Sequence, residues 1–225
     1  MSDAKAVTRL VLVRHGESLA TVEQRLRGAA TDKGLSELGV TQAERLRDRF
    51  RTGHELQVDA IWTSTVRRAA QTAEIVNEAI GVSVTVDPEL EEHRPGDADG
   101  MSFTEALARF GEPPADAASY QVWLPNGESR ADFGLRVGKA LHRIVDHHPG
   151  QTVLVACHGG VIDTAMRQLL VLPARGHFET WTLNTSLTEF SAEHEPPRHP
   201  ARWRLVRYND SAHLAGLPRE TARSR

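Results

Sequence analysis

The 225-residue chain has one cysteine, two tyrosines and few aromatic residues of any kind. A lone cysteine, Cys157, excludes an intrachain disulfide and suits a reducing, cytoplasmic compartment. It cannot head a cysteine-phosphatase loop either, because the arginine required after five intervening residues is replaced by Asp163. The eleven histidines lack metal-ligand spacing, and no His-Glu-x-x-His occurs, so the reading calls for no metal. No apolar run approaches a membrane span. The apolar stretch from Val7 to Val13 is short, broken by polar residues and needed for the first strand, so it is not read as a signal peptide. Charge of neither sign dominates: 27 Lys and Arg stand against 30 Asp and Glu, a net −3, which argues against nucleic acid or an anionic membrane as a partner. The arginines between Arg198 and Arg225 read as surface charge.

The alternation of patterns that is present points to one α/β domain, with a core over about residues 8–214 and a loose C-terminal tail. Strands are expected at Leu10–Val13, Ala60–Thr63, Ser83–Val86, Thr152–Ala156, Ser186–Ser191 and Trp203–Tyr208. Helices are expected at Glu37–Arg51, Val66–Ile80, Phe103–Phe110, Arg130–His147 and Val161–Leu170. Such alternation favours a mostly parallel central sheet with helices on both faces, here with one antiparallel edge strand. Ser129 and Asp132 form a capping-box pattern at the head of the long helix. Gly111–Ala118 and Glu193–Pro200 read as loop connections.

Two of the strands deliver the same chemistry. Val11-Leu12-Val13 leads into Arg14-His15-Gly16-Glu17-Ser18. Val153-Leu154-Val155-Ala156-Cys157 leads into His158-Gly159-Gly160. The two histidines are about 140 residues apart in the chain, yet each stands at the carboxyl end of a buried strand, where open α/β sheets bind ligands. A neutral imidazole is a nucleophile near pH 7. Arginine offers a flat fork of donors that fits a phosphate. The glycines after His158 would free backbone N–H groups at a helix N-terminus, a natural anion site. Further on, Ser64-Thr65 reads as a helix cap, followed by Arg67 and Arg68 in the first turn. Cations there oppose the helix dipole and suggest an anion nearby.

Four ordered motifs together resemble the histidine phosphatase superfamily, also called phosphoglycerate-mutase-like. They are Arg14-His15-Gly16-Glu17-Ser18, Arg67-Arg68-Ala69-x-Gln71-Thr72-Ala73, Asp87-Pro88-x-Leu90-x-Glu92 and Cys157-His158-Gly159-Gly160. The resemblance implies that His15 is the nucleophile that becomes phosphohistidine. By the same resemblance Arg14 and Arg68 are expected to clamp the phosphate, and His158 to stabilise the transferring phosphoryl group. Glu92 is expected to protonate the leaving oxygen and later to activate water. Gly159, Thr21 and Arg25 complete the expected phosphate and substrate contacts, with Thr21 standing where the family usually has Asn. Gly127-Glu128-Ser129 matches a further family motif. The acidic neighbours Glu89, Glu91, Asp97 and Asp99 are expected to surround Glu92, which an extended segment would place on one face with Leu90 while Glu91 faces solvent.

The stretch from His93 to Gly127 carries Phe103, Tyr120 and Trp123 and is the expected seat of substrate choice. It is short and lacks the Glu-Arg-x-Tyr-Gly of the mutases, which favours a phosphatase acting on a small phosphorylated metabolite without a cofactor. A cofactor-dependent phosphoglycerate mutase and a non-catalytic phospho-ligand binder are the alternatives. Nothing in the pattern names the substrate, and a homodimer is left open.

Overall fold

The computed structural model describes residues 6–53, 56–113, 119–172, 180–195 and 198–218. The chain runs β1 (Val7–Arg14), α1 (Leu19–Val22), α2 (Glu37–Thr52), β2 (Ala60–Thr63), α3 (Arg67–Ile80), β3 (Val84–Val86), α4 (Phe103–Phe110), α5 (Arg130–His147), β4 (Thr152–Cys157), α6 (Gly159–Leu169), β5 (Leu187–Glu195) and β6 (Arg198–Asp210). Short 3-10 turns occupy Pro88–Leu90, Gly96–Ala98 and Ala212–Leu214.

The six strands form one sheet in the order β3-β2-β4-β1-β5-β6. β3, β2, β4 and β1 are parallel to one another, β5 runs antiparallel to β1, and β6 pairs antiparallel with β5 at the edge. The two central strands are buried on both faces, as parallel strands covered by helices must be. Their side chains alternate between two cores. Leu10, Leu12, Val153 and Val155 pack under α5 and α6, against Leu141, Ile144, Ile162 and Ala165. Val11, Val13, Leu154 and Ala156 face the other way, with Leu46, Ala73 and Val76 of α2 and α3.

Several boundaries differ from the sequence reading, each for a local reason. β5 and β6 extend into the expected connection, through Glu195 and from Arg198, because an edge hairpin is held by backbone pairing and needs no apolar alternation. α1 is a single turn, too short for a periodic signal, and is capped by the Ser18 side chain. α6 begins at Gly159, since the first turn of a helix tolerates the glycines that weaken a helix interior. The capping box of Ser129 and Asp132 is present. Part of the loop at 111–118, and Arg219, Arg223 and Arg225 in the tail, lie outside the described residues.

A third, smaller cluster joins Ala98, Ala106 and Leu124 to Leu26, Met101, Phe110 and Trp123. Two segments zip together beneath it. Leu26 N–H donates to Met101 O at 2.7 Å, Gly100 N–H to Leu26 O at 2.7 Å, and Gly28 N–H to the Asp99 carboxylate at 2.8 Å. Of the three aromatics expected to serve substrate choice, Trp123 packs on this cluster and Phe103 leans on Trp123 at 5.7 Å, while Tyr120 is exposed.

Candidate active site

Three parallel strands end on the same edge of the sheet, and their last residues converge. Arg14 of β1 pairs with Cys157 of β4, and Thr63 of β2 pairs with Ala156. The next residues are therefore neighbours. His15 N–H donates to Cys157 O at 2.9 Å and Ser64 N–H to Ala156 O at 3.2 Å. The rings of His15 and His158 come to 5.1 Å between centroids in an edge arrangement. Crossover topology thus does what the sequence distance between them hides.

The His15 ring is set in one tautomer. Nδ1 lies 2.7 Å from the Gly16 carbonyl oxygen, which can only accept, so Nδ1 carries the proton. Nε2 keeps its lone pair and accepts from Arg68 Nε at 3.0 Å. The backbone that carries the ring is held from behind, because Asn184 Nδ2 donates to His15 O at 2.8 Å. This frame requires glycine at position 16: a Cβ there would stand 2.4 Å from Gly39 O of α2.

Arg68 is nearly buried, and its guanidinium reaches three partners. Besides His15 it donates through Nη1 to Arg27 O at 3.1 Å and to Asp32 Oδ2 at 2.5 Å. Asp32 Oδ1 also accepts from Arg68 N–H at 2.9 Å. Part of the anion that two cations at a helix N-terminus call for is therefore Asp32, a residue the sequence reading did not place in the site. Arg14 lies over the Trp181 ring at 5.5 Å and donates to Thr182 O at 2.5 Å.

Ser64 is a correction. It does not cap α3, whose N-cap is Val66 with no side-chain bond. The Ser64 hydroxyl accepts from Val66 N–H at 3.1 Å and sits 2.9 Å from His158 Nε2. His158 Nδ1 is buried and has no partner among the described residues. The end-of-strand rule that located the histidines would have located Ser64 as well.

Glu92 reaches the site from a direction the sequence reading misjudged. Pro88–Leu90 is a 3-10 turn, capped by Asp87, rather than an extended segment. Glu92 Oε2 nevertheless accepts from Gly160 N–H at 3.0 Å, at the head of α6 and two residues from His158. Its Oε1 accepts from His93 N–H at 3.0 Å. The anion expected at the glycines after His158 thus includes Glu92 itself. Any side chain at Gly160 would collide with it, the Cβ meeting Glu92 Oε1 at 2.1 Å. Glu91 does not face solvent freely: its carboxylate is held by the Thr65 hydroxyl and by Arg94 Nε. Asp97 is bound to Asn126, and Asp99 to Gly28 and Thr31, so those acids are engaged away from Glu92.

Two further residues expected to contact substrate have protein partners of their own. Arg25 donates to Gly100 O at 2.8 Å and to Glu105 at 3.1 Å, which ties it to the small cluster instead. It is the backbone of the neighbouring Arg27 that touches Arg68. The Thr21 hydroxyl lies 3.1 Å from the Ser18 hydroxyl in α1. Gly159 stands beside Arg14, whose Nε is 3.7 Å from where a Cβ would be.

Burial holds the basicity of both site histidines well below the ordinary range near 6.5. Arg68 and then Arg14 add repulsion at His15; Arg68, His15, Arg14 and Arg136 do so at His158. Both rings are therefore neutral at pH 7, the form in which an imidazole can act as a nucleophile. Burial also pushes the Cys157 thiol up, out of thiolate chemistry. Among the described residues, no three His, Cys, Asp or Glu side chains gather as a metal-holding group. No described helix is long and apolar enough to cross a membrane.

The depressed basicity has a consequence for stability. The unfolded chain takes up these two protons as pH falls through about 6.5, and the folded chain resists them until lower pH, so stability is full above that point and declines below it. Melting temperature is expected to drop between about pH 7.5 and pH 5 in the native chain, and to drop less in His158→Gln. Equal slopes in the two proteins would contradict this assignment. Asp210, held by Arg49 at about 2 against an ordinary 3.8, adds its own loss only in the more acidic range.

The sequence of motifs and this geometry agree with the comparison to known proteins. Residues 10–211 match the histidine phosphatase superfamily, branch 1. The chain belongs to that superfamily. Among its relatives is the Yersinia pestis protein named "Probable phosphoglycerate mutase GpmB", 29% identical over 92% of this chain and 94% of that one. A mycobacterial glucosyl-3-phosphoglycerate phosphatase solved with VO3 is 31% identical, with a TM-score of 0.73 over 90% of this chain and 99% of that one. YhfR of Bacillus stearothermophilus is 28% identical, with a TM-score of 0.74 over 92% and 99%.

Proposed function

We propose that the protein is a phosphoric monoester hydrolase that works through a phosphohistidine on His15. The observation that carries this reading is the His15 ring: neutral, with Nδ1–H fixed on Gly16 O and the Nε2 lone pair turned to Arg68. In the first step Nε2 forms a bond to phosphorus, the ester P–O bond breaks, and Glu92 gives its proton to the leaving oxygen. In the second, Glu92 takes a proton from water, whose oxygen displaces Nε2 from phosphorus. Inorganic phosphate leaves and His15 is restored. Arg14, Arg68 and His158 counter the charge on the transferring oxygens, the main task of a phosphoryl-transfer site.

Two arginines supply positive charge where a metal ion would otherwise stand, so the reaction needs no metal. Hydrolysis of p-nitrophenyl phosphate is expected to continue unchanged in EDTA. Loss of activity restored by a divalent metal would contradict the proposal, and no hydrolysis at all of any phosphomonoester would favour a binding protein.

The substrate is a small phosphorylated metabolite of the cytoplasm. The Yersinia relative's name keeps a mutase reading in view. The short segment between Glu92 and Gly127 weighs for water as the acceptor. With 3-phosphoglycerate and catalytic 2,3-bisphosphoglycerate, a phosphatase releases inorganic phosphate; accumulation of 2-phosphoglycerate would select the mutase.

A further inference from the structure

Arg136 lies on the inner face of α5, at a position that reads from sequence as an ordinary polar residue of an amphipathic helix. It is 7% exposed, and every donor it owns is spent on one segment and one acid. Nη1 donates to Glu89 O at 2.8 Å and Glu91 O at 3.1 Å. Nη2 donates to Glu92 O at 3.3 Å and to Glu128 Oε1 at 2.5 Å. Nε donates to Glu128 Oε2 at 3.2 Å. A guanidinium has five N–H groups in a fixed plane, and all five are used.

The arrangement holds the strand-to-loop segment that delivers Glu92 from three of its own carbonyls. Glu128 neutralises the buried cation and closes the segment from the other side, accepting from Arg94 N–H at 2.9 Å. The Phe133 ring, one turn earlier on α5, lies under the guanidinium at 5.1 Å. The platform is therefore rigid helix, and the cargo is the backbone of the residue whose carboxyl meets Gly160.

We infer that Arg136, braced by Glu128, is a positioning residue for the Glu92 carboxyl, and so governs proton delivery to the leaving group. This rests on the role proposed for Glu92. Arg136 touches no reacting atom. It acts by fixing the peptide from which Glu92 projects, and misplacement of about 1 Å at a reacting group can cost about a hundredfold in rate. Lysine keeps the charge and the pairing with Glu128, but offers three donors from one point and cannot span three carbonyls and a carboxylate.

The test is single-turnover phosphorylation with an alkyl phosphate and with p-nitrophenyl phosphate, for Arg136→Lys, Glu92→Gln and the double variant. Arg136→Lys is expected to slow the alkyl substrate about ten- to a hundredfold, to leave p-nitrophenyl phosphate within about threefold, and to change KM little. In the Glu92→Gln background the same substitution should have little further effect, since the group it positions is already gone. A general loss of packing would instead slow both substrates alike and add to Glu92→Gln, and that result would overturn the inference. A selective effect in Glu92→Gln with none in Arg136→Lys would reject Arg136 alone. No selective effect in Glu92→Gln would reject both it and the role of Glu92.

Discussion

His15→Ala is expected to reduce turnover to background, a loss of roughly a millionfold by analogy with removal of other covalent nucleophiles, in a protein that still folds. The fold should survive because the backbone bonds at this position do not involve the ring. His15 N–H still reaches Cys157 O, and Asn184 still reaches His15 O. The side chain's own bonds are few: one to its neighbour Gly16 and one from Arg68 Nε. The loss leaves Arg68 Nε without an acceptor at a cost of about 1–3 kcal/mol, and Asp32 still holds the rest of that guanidinium. Circular dichroism and p-nitrophenyl phosphate hydrolysis on the same sample check both halves. A folded variant with activity within about tenfold of the native chain would mean that another group attacks phosphorus.

Glu92→Gln is expected to slow alkyl phosphates by roughly two to four powers of ten, the usual size of a general acid–base contribution. The phosphorylation step with p-nitrophenyl phosphate should suffer far less, because p-nitrophenolate departs without needing a proton. Glutamine keeps the size of the side chain but has no proton to give at neutral pH. Glu91→Gln is the informative control. Its carboxylate is anchored by Thr65 and Arg94 rather than by the head of α6, so its loss should not depend on the leaving group. A large, leaving-group-dependent loss in Glu91→Gln, with little in Glu92→Gln, would reverse the assignment.

Much of this site is legible in the chain because central parallel strands announce themselves. Leu10–Val13 and Val153–Cys157 are continuous apolar runs, and His15 and His158 follow them directly. What pairwise topology adds is invisible to periodicity. Ser64 follows β2 just as the histidines follow their strands, yet a serine before a helix reads more naturally as a cap. Arg25 and Arg27 are separated by one residue, and nothing local tells which of them faces Arg68. Glu92 reaches Gly160 although the segment before it is a 3-10 turn rather than a strand. Asp32, Asn184 and Arg136 come from loops and a helix face, and only the folded chain shows that they bond to Arg68, to the backbone of His15 and to the backbone of Glu92. The hairpin β5–β6 runs past its apolar stretch because edge pairing is a backbone property.

Trapping the phosphoenzyme tests the central claim most directly. The protein is mixed with excess p-nitrophenyl phosphate, quenched at alkaline pH, digested and mapped by mass spectrometry. The phosphoryl group is expected on the peptide containing His15, attached to the imidazole, lost in acid and retained in base as a phosphoramidate is. Phosphate on Ser18, on Cys157 or on His158, or an ester-like bond stable in acid, would contradict the account.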